Sequence, residues 1–118
     1  VSIVGASDPG FAGADYVVGA FGDPTNAATF SSPAFAATGI TYGTITLISQ
    51  PSSALNNHCG GFVCAGPVSS GTSSGVPTMT ATAGGTTTNA TGPGVILRLR
   101  EVGGGPSYNP ANFMPFFM

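Results

Sequence analysis

A chain of 118 residues with two arginines, no lysine, four acids and a net charge of −2 has almost dispensed with charge: 5% of its residues carry it, against about a quarter in an average soluble domain. That balance excludes the cationic footprint of nucleic-acid binding, and a positive mean hydropathy of +0.32 with so little net charge is the reverse of a disordered composition. Nineteen glycines and ten prolines break helices throughout, while the abundant Thr, Val, Ile, Phe and Tyr suit pleated surfaces.

These features predict a single all-β domain over 1–118, a small antiparallel β-sandwich or jelly-roll-like domain with extended N- and C-terminal arms. The expected division is a Gly/Ala/Asp-rich N-terminal arm over 1–26, a core over 27–102 and a glycine-hinged apolar tail over 103–118. No run approaches the roughly 18 apolar residues of a membrane span.

The chain begins Val1-Ser2-Ile3-Val4, without the basic start of a signal peptide, as a mature chain after leader removal would. Asp8-Pro9 and Asp23-Pro24 read as turn starters, and Tyr16 to Phe21 between them as a short strand. Asp8, Asp15 and Asp23 are spaced too openly for one calcium loop and read as turn residues.

Gly39 to Ser49 reads as the longest strand. Ile40, Tyr42 and Ile48 lie on one parity, Ile45 and Leu47 on the other, which predicts cover on both faces. It ends in the turn cluster Gln50-Pro51-Ser52-Ser53.

Cys59 and Cys64, in His58-Cys59-Gly60-Gly61-Phe62-Val63-Cys64, are expected to form a disulfide closing a small glycine-bearing loop in an oxidising compartment. Zinc wants four ligands, or three plus water, which this cluster does not supply, so no metal is expected. Ala65 to Gly75 reads as a Gly/Ser-rich loop. Within it, Gly71-Thr72-Ser73-Ser74-Gly75 matches a nucleophile-elbow spacing, but no strand leads in, no helix follows, and the only histidine, His58, lies upstream. A phosphate loop requires a lysine. No enzyme and no cofactor is expected.

Thr78, Thr80 and Thr82 alternate with Met79, Ala81 and Ala83, a strand with a hydroxyl face. Gly84-Gly85 reads as a hairpin turn into a second threonine strand ending at Thr91. Asn89-Ala90-Thr91 fits the N-glycosylation acceptor pattern, and the surrounding threonines are candidates for O-linked sugar. In Val95 to Val102, Val95, Leu97 and Leu99 point one way and Arg98 and Arg100 the other. The arginine face is expected to be the outer one, wet or paired with Asp8, Asp15 or Asp23.

Gly103-Gly104-Gly105-Pro106 then forms a hinge before Phe113-Met114-Pro115-Phe116-Phe117-Met118. Burial of those five large apolar side chains is worth roughly 1.5–3 kcal/mol each, so the segment is expected to cover the open side of its own sheet, with insertion into a neighbouring subunit as the alternative.

From Pro24 to Leu97 there is no Asp, Glu, Lys or Arg, the charges that normally keep sheet edges from pairing with strangers. The functional expectation is therefore a secreted, extracellular or cell-surface structural subunit whose partners are copies of itself, forming a filament, pilus-like fibre or surface coat by strand or arm exchange. Val1, Ile3, Phe113, Met114, Phe116, Phe117 and Met118 are the candidate subunit contacts. Asp8, Asp15, Asp23, Arg98, Arg100 and Glu101 are the candidate register-setting charges. Two alternatives are a viral capsid or decoration protein, and a module whose threonine face meets carbohydrate or ice.

Overall fold

The computed structural model describes residues 1–24, 29–53, 59–84 and 92–100. The expected all-β class holds: among these residues there are nine strands and no helix, arranged in two antiparallel sheets. The expected second threonine strand, Glu101, Val102 and the whole tail over 103–118 lie outside the described residues. None of the described residues belongs to a helix long and apolar enough to cross a membrane.

The smaller sheet has the order β1-β8-β3, where β1 is Ser2–Val4, β8 Thr78–Gly84 and β3 Thr29–Ala36. The larger has the order β4-β7-β2-β9, with β4 Ile40–Tyr42, β7 Cys59–Gly71, β2 Tyr16–Asp23 and β9 Gly94–Leu99. Two further short strands, β5 (Thr46–Ser49) and β6 (Ser52–Ser53), continue along the β4 side of β7. β9 is an edge strand; among the described residues nothing pairs with its outer side.

The sheets face each other across an aromatic core. Phe21 of β2, Phe62 of β7 and Phe30 of β3 form one cluster, with ring centroids 5.0–5.8 Å apart. Phe35 and Phe11 each meet Tyr42 at 5.7 Å. Met79 of β8, fully buried, lies over Gly19 of β2, where a Cβ would collide with the Met79 sulfur and the Phe35 ring. Glycine at that point lets the sheets close to packing distance.

β8 alternates as its sequence predicts. Met79 and Ala81 are buried, while Thr80 and Thr82 are exposed.

Three expectations are corrected. First, of the loop expected over Ala65 to Gly75, Ala65 to Gly71 belongs with the Cys59–Cys64 segment to the longest strand, Cys59–Gly71, paired with β2 on one side and with β4, β5 and β6 on the other. Its glycines belong to a packed strand; a Cβ on Gly61 would press on the Phe21 carbonyl oxygen. Second, the strand expected over Gly39 to Ser49 is two strands, interrupted at 43–45. The interruption shifts parity by one, so Ile40, Tyr42, Ile45 and Leu47 all pack on the same core, and Ile48 is left exposed. β3 uses the same device: a bulge between Ser31 and Ala34, with Ser32 at φ 51°, turns both Phe30 and Phe35 inward.

Third, residues 1–24 do not hang as an arm. β1 is hydrogen-bonded to β8, and Val1 N donates to Ala81 O at 2.6 Å. β2 runs between β7 and β9.

Candidate assembly surface

The two outward faces of the sandwich differ in chemistry. The smaller sheet presents Ser2 beside Thr80 and Ala34, and Thr82 beside Ser31, a face of hydroxyls and methyls. The larger sheet presents rows with no hydroxyl on β9 or β2 except the Tyr16 phenol. Leu97, Val18 and Thr46, with the buried Ala65 between the last two, run across the middle; Val95, Ala20 and Val63 form a second row, Leu99, Tyr16 and Pro67 a third.

Of the seven exposed large apolar side chains among the described residues, four stand together at the β9 side, Leu99 (52%), Leu97 (49%), Val95 (46%) and Tyr16 (44%), while Val4, Ile48 and Val76 stand elsewhere. No charged residue stands in these rows. Contiguous apolar exposure next to an unpaired edge is the signature of an interaction surface.

This reverses the expected orientation of β9. Ile96 packs against the core and Arg98 points beneath the loop over 8–15, so the arginine face is the inner one and the leucine face the outer one. Arg98 Nε donates to Asp15 Oδ2 at 2.6 Å, and a terminal guanidinium nitrogen donates to Pro9 O at 2.9 Å.

Asp15 is 4% exposed and also accepts the Ala12 N–H at 2.7 Å. Burial works against its charge, but the Ala12 N–H and the Arg98 guanidinium outweigh burial and hold Asp15 below the ordinary carboxylate range. Beside it, Asp8 Oδ1 accepts from Ser73 Oγ at 2.6 Å and from Gly10 N at 2.8 Å. These bonds, the Ser73 hydroxyl first, lower its pKa also. The result is a staple that ties the loop to β9 and to Ser73.

The structure disperses the remaining residues singled out in the sequence. Ser73 spends its hydroxyl on Asp8, and its N–H bonds Phe11 O at 2.8 Å; His58 lies outside the described residues. The expected Cys59–Cys64 disulfide is absent, and both thiols are free. Five residues apart on one extended strand, their Cα atoms are separated by roughly 16 Å and their side chains take opposite faces, whereas a disulfide needs Cα atoms within about 7 Å. Cys64 is buried against Met79, Sγ to Sδ 3.9 Å, and burial pushes its thiol up to about 11. Cys59 is exposed.

Val1 and Ile3 pack on their own core. Asp23 is buried at the end of β2, and Arg100 is exposed. Asn89, Glu101, Phe113, Met114, Phe116, Phe117 and Met118 lie outside the described residues.

Set against known proteins, the chain matches no family model, and no curated protein or solved structure matches it. The surface itself is therefore the guide to function. Its outer row is apolar and carries no charged side chain.

Proposed function

We propose that this chain is a structural subunit that self-assembles outside the cell into a filament, pilus-like fibre or surface coat, through a strand or arm passed between neighbouring copies. The observation that carries this reading is the outer side of β9, where half-exposed Val95, Leu97 and Leu99 lie along an edge with no strand paired to it among the described residues. Natural sheets protect such edges with lysines, inward charges or short strands. Of these devices β9 has one, the inward-turned Arg98; the chain has no lysine, and the outer row of β9 carries no charge.

A heterologous contact of this kind, repeated without closing, builds a fibre. Sugar on Asn89 or the neighbouring threonines would supply the solubility that charge does not. With arginine only at 98 and 100, such a polymer also offers trypsin few sites.

Negative-stain microscopy of purified native material tests the reading. Fibres or sheets support it, and closed shells would favour a capsid geometry instead. Dispersed monomers at high concentration and low salt would end it.

A further inference from the structure

Resting on the self-assembly reading, we propose that the apolar row of β9 with Tyr16 is the receptor for the C-terminal segment 113–118 of a neighbouring copy. The receptor is apolar, uncharged and half exposed at the aliphatic Val95, Leu97 and Leu99 and at Tyr16. The segment that would occupy it is uncharged in the same way and carries five large apolar side chains in six positions. Burying a half-exposed leucine and a phenylalanine against each other is favourable by roughly 25 cal/mol for each Å² of apolar surface removed from water. On the smaller sheet the outer face offers Val4 among hydroxyls and alanines rather than a continuous apolar row.

The length of chain beyond β9 is sufficient for the segment to reach a neighbouring copy. The described chain ends at Arg100, one residue beyond Leu99 and so already beside the row. A tight reversal back over that row needs only about 2–5 residues. Instead residues 101–112 intervene before Phe113, an extended reach of roughly 40 Å. That is about twice the width of a four-stranded sheet at 4.7–4.9 Å per strand. Gly103 to Gly105 supply a pivot, and Pro106 and Pro110 favour an extended course after it. A linker of this length and composition spans the distance to the β9 row of a neighbouring copy. Each copy then donates one tail and receives one, a head-to-tail contact that propagates.

Subunit complementation with full-length chains tests this. The tail variant carries Phe116→Ser and Phe117→Ser; the face variant carries Leu97→Thr and Leu99→Thr, outward positions where threonine keeps strand propensity. Circular dichroism first checks that each keeps its β spectrum, and Tyr16→Ser replaces the face variant should that one fail. Light scattering after size exclusion then gives the mass.

The expected result is one chain for each variant alone and two chains for the equimolar mixture, because only the face variant's tail and the tail variant's face remain competent. A tail variant that still assembles alone would overturn the assignment, since the face would then be meeting something else. So would a mixture that stays at one chain while the unsubstituted protein assembles; in both cases self-assembly itself survives. An unsubstituted protein that stays monomeric removes both.

Discussion

Arg98 and Asp15, 2.6 Å apart beneath the loop over 8–15, decide which side of β9 faces the solvent. In a strand a change of one residue in register exchanges the two faces entirely. With Arg98 drawn inward to the carboxylate, Leu97 and Leu99 on either side of it are turned outward. The ion pair is thus the reason an apolar row lies on the surface. Two of the charges expected to set register between subunits, Arg98 and Asp15, pair with each other within one chain.

Removal of the cation exposes this dependence. Arg98→Gln leaves Asp15 buried with the Ala12 N–H alone, and should cost about 1.5–3 kcal/mol at pH 7, the range for a hydrogen bond to a charged group. Urea unfolding at neutral pH measures it. A loss below about 0.5 kcal/mol would mean the pair does not hold the strand.

The pH dependence has a definite sign. Asp8 and Asp15 are both held below their ordinary values, so the unfolded chain takes up protons first as pH falls. Their contribution is present above the unfolded carboxylate pKa, near 3.9, and is lost as pH drops through the lower folded values. In Arg98→Gln the unpaired Asp15 is relieved by protonation, so the gap between variant and unsubstituted protein should narrow between pH 5 and 3. A gap that widens on acidification contradicts the assignment.

The close approach at Gly19 predicts a steric asymmetry between two glycines of one strand. Gly19→Ala must push Met79 and the Phe35 ring aside and should destabilise by about 1–3 kcal/mol. A Cβ on Gly22 meets nothing within 4 Å, so Gly22→Ala should change stability by less than about 0.5 kcal/mol. Equal effects in thermal unfolding would refute the described packing of β2 on β8.

Tyr42 supplies a test of polar satisfaction. Its hydroxyl is buried with no hydrogen-bond partner among the described residues, and burial, aided by Asp8, raises its pKa. Tyr42→Phe keeps the ring contacts with Phe11 and Phe35 and removes the stranded oxygen. The variant should be as stable as the parent or more so by up to about 1 kcal/mol. A clear loss of stability would show that the hydroxyl has a partner.

How legible the sequence is varies strand by strand, for physical reasons. β8 is regular, and the alternation of Thr80 and Thr82 with Met79 and Ala81 announces both the strand and its buried side. β7 is hidden because Gly60, Gly61 and Gly66 mimic a loop, though they stand in a strand paired on both sides. The parity breaks in β3 and between β4 and β5 defeat a period-two reading, since Phe30 and Phe35, or Tyr42 and Ile45, reach one core from opposite parities. The disulfide expectation failed with the loop that supported it. In β9 the alternation is plain, but an arginine folded under a loop onto Asp15 has the same sequence signature as one in water. The candidate surface was visible as a pattern, and only its direction required the structure.

The thiols give a direct readout of β7. In the native protein Cys59 alone should react with Ellman's reagent, and Cys64, buried and with its pKa raised to about 11, should react only in denaturant. Absence of thiol reactivity in both states would restore the disulfide and break the strand.

Sedimentation velocity of the full-length chain across a rising concentration series, beside Leu97→Thr/Leu99→Thr, tests the central claim most directly. The outer row of β9 should drive association, so the unsubstituted protein is predicted to shift to large, concentration-dependent species while the variant sediments as a single chain. An unsubstituted protein that remains monomeric throughout, or a variant that assembles equally well, would contradict it.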